Sequence, residues 1–291
     1  MKILITGVTD THINKVDRAK STKFISIPEL VAKTLRQMGH DVAHKEVHVG
    51  DDLSEFDKVI CFLYPFDKHA RHPHAALYTL DVRGDAIIAV DDWSCHNVQS
   101  TWCDLVGDLS DRLWLVPTFK WGDPSKLGIK AEIVTYDPSP AVELDPVEIA
   151  YPKINTWLHA SFHPSSHFWA AQATTWPVLS YGCKPLLQPR ILESEVIRLH
   201  GQVRGSLIPP YQHVGSGWWR VRVLHALNAE CVIGADPREL CGVSLGLHPR
   251  DIECLGPESL DELAFRQAAA IRPMLGTMHE MQSILTKVLE N

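Results

Sequence analysis

Four groups of residues in this chain have types and spacings that could do chemistry. The first is a glycine-rich turn, Gly215-Ser216-Gly217, opening into a helical pattern that carries Arg220, Arg222 and His225. Ser216 suits a helix N-cap, and the flanking glycines let backbone come close to a ligand. Free N–H groups at a helix start, at the positive end of its dipole, suit a phosphate. Arg222 and His225 share a face, leaving Trp218, Val221, Leu224 and Leu227 to pack another. Two arginines in the first turns oppose the helix dipole, which a nearby anion would offset. Solvated arginines on an ordinary surface helix would read the same way.

The second group is Asp91-Asp92-Trp93, directly after the apolar run Asp85–Val90. A carboxylate at a strand end can serve as a general base. Adjacent side chains on extended chain point opposite ways, so only one of the pair can face a ligand. One aspartate could equally cap the following turn. The adjacent pair is not the spaced DxD of metal-dependent sugar transferases.

Histidines make the third group, dense at His69, His72 and His74 and again at His159, His163 and His167. Pro73 and Pro164 interrupt any helix that could align them, and no cysteine or carboxylate cluster completes a metal set. They read as structural or ligand-contacting histidines. No metal is required on this reading, and a divalent cation is not indicated. The fourth group is cationic: the Val8–Lys23 loop carries Lys15, Arg18, Lys20 and Lys23, a suitable clamp for nucleic-acid phosphates.

Composition bounds what these groups can mean. The chain has 291 residues, enough for two domains, and its 45% hydrophobic and 22% charged residues are ordinary globular values. A net charge of −7 argues against a protein coated in positive charge for nucleic acid, while leaving room for a local basic groove. Seven cysteines without regular spacing imply free thiols in a reducing, cytoplasmic setting. The apolar run in MKILITG is too short for a signal peptide, and no stretch of 18 uninterrupted apolar residues predicts a membrane span.

The elements that must position these groups alternate between strand and helix. Strands are predicted at Lys2–Thr6, Asp41–Val49, Asp57–Leu63, Asp85–Val90, Arg112–Val116 and Glu132–Tyr136. Helices are predicted from Ile27 to a C-cap at Gly39 and over His69–Val82. Apolar strand centres alternating with helices predict a parallel, doubly wound sheet, in which ligands bind beyond the carboxyl ends of strands. Gly7 and Asp91-Asp92 stand at such ends. The proline-rich stretch Asp137–Pro152 reads as an interdomain linker. Beyond it the pattern predicts strands at Lys153–His159, Pro185–Gln188, Cys231–Gly234 and Ile252–Leu255. It predicts helices at Ser165–Thr174, Leu192–His200, Leu260–Ala270 and Met274–Leu289.

The opening MKILITG is similar to that of nucleotide-sugar epimerases and related dehydrogenases, but their second and third glycines and their YxxxK pair are missing. The wider pattern resembles the bacteriophage DNA glucosyltransferases, two-domain enzymes of the GT-B class. MKILITG and the helix end Arg36-Gln37-Met38-Gly39-His40-Asp41-Val42 are similar to that family's first strand and helix. IIAVDDW is similar to the strand whose terminal aspartate is the family's base, which favours Asp92 over Asp91. Leu158–Phe162 resembles the donor-phosphate loop around Ser161, with His163 and His167 standing where the family has two arginines. Arg222-Val223 is similar to the Arg-Val of the donor helix, and the family's ribose-binding glutamate falls on His225. A further cleft glutamate of the family aligns near Ser26-Ile27 and has no counterpart.

The resemblance implies an α/β, GT-B-like fold of two Rossmann-like domains facing a cleft. Residues 1–145 would form the acceptor domain, 146–270 the nucleotide-sugar domain, and 271–291 a helix crossing back onto the first. It also implies a UDP-sugar donor, a hydroxymethylated pyrimidine in double-stranded DNA as acceptor, and inversion at the sugar with Asp92 as base. Gly7, Ser161, His163, His167, Gly215, Ser216, Gly217, Arg220, Arg222 and His225 would contact the donor. Lys15, Arg18, Lys20 and Lys23 would contact DNA, and a monomer is expected. Two other classes fit the same residues: a GT-B enzyme acting on a small molecule or glycan, and a nucleotide- or DNA-binding module that keeps the fold without catalysis.

Overall fold

Ile3, Leu4 and Ile5 are consecutive and fully buried, so the first strand has protein on both of its faces. In this computed structural model the described residues are 1–7, 26–63, 73–90, 111–117, 131–141, 146–161, 164–182, 191, 193–209, 220–235 and 247–290. They form two compact units. One holds the first strand, the described residues from 26 to 141 and the C-terminal residues from 275, and the other holds those from 146 to 274.

Among the described residues the first unit carries a six-stranded parallel sheet. Its strands are β1 (Lys2–Gly7), β2 (Asp41–His44), β3 (Lys58–Leu63), β4 (Ile87–Val90), β5 (Leu113–Pro117) and β6 (Glu132–Tyr136), in the order β2-β1-β3-β4-β5-β6. Helix α1 (Ile27–Gln37) begins at Ser26, whose hydroxyl accepts from the Glu29 amide at 3.3 Å, and has Pro28 in its first turn. Helix α2 is Pro73–Val82. The final helix of the chain, α8 (Met278–Glu290), belongs to this unit and starts with a reciprocal cap: the Thr277 amide donates to Glu280, and the Glu280 amide to the Thr277 hydroxyl. Its Met281, Leu285, Val288 and Leu289 enter one core with Ile3, Ile5, Leu30, Leu35 and Phe62. On the other sheet face Leu4, Val59, Cys61, Ile88 and Val90 pack with Ala76 and Leu80 of α2.

Among its described residues the second unit has a four-stranded parallel sheet in the order β10-β9-β7-β8, from β7 (Ile154–Ala160), β8 (Val178–Tyr181), β9 (Val203–Ile208) and β10 (Val232–Ala235). Its helices are α3 (Pro164–Ala173), α4 (Glu193–His200), α5 (Arg220–Asn228), α6 (Pro249–Glu253) and α7 (Pro257–Ile271). Trp157 of β7 pairs in register with Gly205 of β9 and is fully buried among Ala170, Leu260, Leu263 and Ala264. A β-carbon at Gly205 would overlap the indole, so this glycine is where the ring lies.

Several local expectations change. Ile252–Leu255 is not a strand: the His248 side chain caps a helix entered through Pro249, and Ile252 is buried from that helix. Strands β8 and β9 emerge where no strand was predicted. The second strand ends at His44 instead of Val49, and the last helix starts at Met278, after a 3₁₀ turn at Arg272–Met274. Pro185–Gln188 lies outside the described residues.

Candidate functional site

Both sheets share one topology: the first strand of each unit is flanked by its second and third strands, with the fourth beyond the third. The order reverses between β1 and β3 in the first unit and between β7 and β9 in the second. At such a point the outgoing connections diverge to opposite faces and leave a crevice beyond the carboxyl ends. The residues that occupy those ends are the candidates for ligand contact.

In the second unit, β7 runs out into Ser161, whose amide donates to the carbonyl of Tyr181 at the end of β8, 3.0 Å away. Ser161 is buried, and its own carbonyl accepts from Nε2 of His167 at 2.8 Å. His167 belongs to the first turns of α3, so its ring folds back over the start of that helix. His159, two residues before Ser161 and on the same strand face, meets the His167 ring edge to face with centroids 4.5 Å apart. The Nε2 of His159 is 3.2 Å from the hydroxyl of Ser166. Burial, the charge of Arg222 and the ring of His167 together hold His159 well below the ordinary imidazole range.

Arg222 reaches this region from α5, the helix that follows β9. As a residue it is half-buried, yet its Nη1 is shielded from solvent. Burial draws its pKa down to about 10, which leaves it charged at neutral pH. His225, one turn further, is buried 6.3 Å from His200, ring centre to ring centre. The Nδ1 of His200 lies 2.8 Å from the Val196 carbonyl and its Nε2 3.2 Å from the Ser206 hydroxyl. Since a carbonyl can only accept, its Nδ1 carries the proton and its Nε2 takes the serine O–H.

The structure thus brings Ser161, His167 and Arg222 to one end of the second sheet, with His225 deeper along α5. Arg220 opens α5. Gly7 closes β1 in the first unit with φ +102°, and a β-carbon there would overlap the Phe62 carbonyl, so strand packing alone demands glycine. Asp91, Asp92, His163, Gly215, Ser216, Gly217, Lys15, Arg18, Lys20 and Lys23 lie outside the described residues. Sequence reasoning groups His159 with His163 and His167 but does not place it among the donor contacts, and it does not single out Ser166. The signal available was the two-residue alternation of Trp157, His159 and Ser161 along β7, which puts all three on one face.

The first unit also contains a pocket of about 400 Å³ at the carboxyl end of β6, lined by Tyr136, Asp137, Thr277, His279 and Glu280 among others. Asp137 there accepts from the amide and hydroxyl of Ser139. Among the described residues no three His, Cys, Asp or Glu side chains are grouped to hold a metal ion, and no helix is long and apolar enough to cross a membrane.

Two parallel α/β units whose first four described strands share one order, with the last helix of the chain belonging to the first unit, define a GT-B-like fold. Solved structures share it. A crystal structure of the DNA-modifying enzyme β-glucosyltransferase, studied with and without uridine diphosphoglucose, superposes with a TM-score of 0.53 at 13% identity, covering 100% of this chain and 94% of that one. The T4 phage enzyme with UDP and Mn²⁺ gives 0.54 at 13% identity, with 100% and 95% covered. The same phage enzyme with its UDP-glucose substrate gives 0.51 at 11%, with 100% and 94% covered. No protein-family profile matches the chain, and no curated protein matches it by sequence.

Proposed function

We propose that this chain is an inverting glycosyltransferase that moves a sugar from a UDP-linked donor to a hydroxymethylated pyrimidine in double-stranded DNA. The observation that carries the reading is the grouping of Ser161, His159, His167 and Arg222 at the carboxyl end of β7, at the point where strand order reverses. Proteins of like fold have been solved in complex with UDP-glucose and with UDP, and a diphosphate is a ligand that a buried arginine, adjoining imidazoles and helix-start amides would hold.

The chemistry follows from the residues. The acceptor hydroxyl oxygen attacks the anomeric carbon, the bond from that carbon to the diphosphate oxygen breaks, and Asp92 takes the hydroxyl proton. The reaction passes through an oxocarbenium-like state, so the protein's main task is to stabilise the departing diphosphate. Arg222, Arg220, Ser161 and the backbone amides of Gly215–Gly217 serve that end, with His163 and His167 beside them and His225 toward the ribose. Lys15, Arg18, Lys20 and Lys23 hold the DNA backbone.

A second reading has one observation in its favour: the net charge of −7 suits a small-molecule or glycan acceptor better than DNA. One experiment separates the two. Hydroxymethylated duplex DNA is incubated with the protein and a panel of UDP-sugars, then digested to nucleosides and weighed by mass spectrometry. A glycosylated hydroxymethylpyrimidine nucleoside is the expected product. UDP release with unmodified nucleosides would transfer the assignment to another acceptor, and the absence of both would overturn the enzymatic reading.

A further inference from the structure

The contacts of His167 limit what it can offer a ligand. Its Nε2 faces the Ser161 carbonyl, which only accepts, so the proton of the neutral ring resides on Nε2. The Nδ1 is therefore a bare acceptor; it is buried and has no hydrogen-bond partner among the described residues, in a residue only 5% exposed. An acceptor repels a phosphate oxygen. Once protonated, the same atom is a charged donor carried on the first turns of a ten-residue helix, whose free amides favour an anion.

The surroundings point the same way. The charges that act on His159 are Arg222 and His167, both cationic or potentially so. The other described titratable groups on the elements packed around the pair are His225 on α5, His200, Glu195 and Arg198 on α4, Arg204 on β9, Tyr181 at the end of β8, and Arg250, Asp251 and Glu253 on α6 with His248 at its cap. Glu253 is engaged by Trp157, Thr174 and Thr175. Glu195 is engaged by Arg198, and Arg204 by Asp261 from α7. His159, His167 and Arg222 together contribute up to three positive charges, and among the described residues no carboxylate is found acting on His159. Burial opposes protonation of His159 until a counter-charge arrives.

We propose that His159 and His167 form a proton-linked clamp that takes up a proton as the donor diphosphate binds, so that donor affinity in this chain falls as pH rises. This rests on the reading of the β7 end as the donor site. Linkage requires the reciprocal effect: an anion that binds the protonated pair better must raise its affinity for protons. This chain would then hold its donor through charges that appear on binding.

The test uses UDP as the probe and calorimetry between pH 6.5 and 8.5, in pairs of buffers that differ in ionisation enthalpy. UDP is mostly ionised across this range, because a phosphate's second pKa is about 6. Expected for the wild type is net proton uptake, with a dissociation constant rising about tenfold or more over the two pH units. The double variant His159→Gln/His167→Arg should bind with no proton uptake and less than about a threefold change. In wild-type protein labelled with ¹⁵N-histidine, UDP should convert at least one neutral imidazole to imidazolium, a readout that needs no variant. UDP binding without proton uptake or imidazolium would overturn the clamp and leave the donor site standing. No UDP binding by the wild type at pH 6.5 would overturn both.

Discussion

The indole N–H of Trp157 donates to the carboxylate of Glu253 at 2.6 Å, joining the central strand of the second unit to the short helix α6. The same carboxylate accepts from the amides of Thr175 and Trp176 and from the hydroxyls of Thr174 and Thr175. Burial opposes its ionisation, but the hydrogen bonds led by Thr175 outweigh that and hold its pKa below the usual range. Glu253→Ala strands several donors at once and should destabilise the protein by about 2–4 kcal/mol in urea unfolding, because each buried donor left without an acceptor costs about 1–3 kcal/mol. Wild-type stability in this variant would mean that α6 and β7 are not coupled through the carboxylate.

Gly7 ends β1 with φ +102°, and a β-carbon there would collide with the backbone of Phe62, its register partner on β3. Gly7→Ala combines positive-φ strain with overpacking, so a loss on the order of 3 kcal/mol or more is expected. The loss should appear in thermal unfolding without any ligand. A variant as stable as the wild type would shift the explanation for this glycine to ligand contact.

His200 is buried, and burial, followed by the nearby His225, draws its pKa down to about 3. The unfolded chain takes up a proton near the ordinary value of about 6.5, whereas the folded chain resists until about pH 3. The stability from this residue is therefore whole above about pH 6.5 and is lost as pH falls, by about 1.4 kcal/mol per unit. Denaturation between pH 7.5 and 5 should show this acid slope, with His159 adding to it in the same direction. His200→Gln, which keeps a donor and an acceptor, should flatten the slope; an unchanged slope would mean that His200 does not contribute.

Asp92 stands two residues beyond the end of β4, a strand buried throughout. A primary hydroxyl is a poor nucleophile at neutral pH, and removing a general base typically lowers the rate by about 10²–10⁴. Asp92→Asn keeps the size of the side chain but cannot take the proton, so transfer should fall within that range while UDP binding persists. Asp91→Asn should do much less. If Asp91→Asn alone stops turnover, Asp91 is the base, and wild-type turnover in both variants would remove a carboxylate base from the mechanism.

The amino-acid sequence by itself determined those elements whose signals lie within a few residues of one another. The apolar runs of β1, β3 and β4 announce strands covered on both faces, and each is one. Ser26, Pro28 and Gly39 bracket α1, and the apolar stripe of Met281, Leu285 and Val288 marks the last helix. Their alternation was enough for an α/β chain with parallel, doubly wound sheets, whereas the GT-B-like arrangement was implied by the resemblance. Tertiary structure decided the rest. VRGSLI does not read as a central strand, because Arg204 and Gly205 interrupt it; Asp261 on α7 partners the arginine, and the ring of Trp157 fills the space above the glycine. Ile252–Leu255 carries a strand-like pattern, yet Pro249 and the Trp157–Glu253 bond make its first residues helix. The meeting of His159 and His167 needed a strand to end and a helix to turn back over it. Propensity and capping act along the chain, whereas these groups come together only when the sheet has formed.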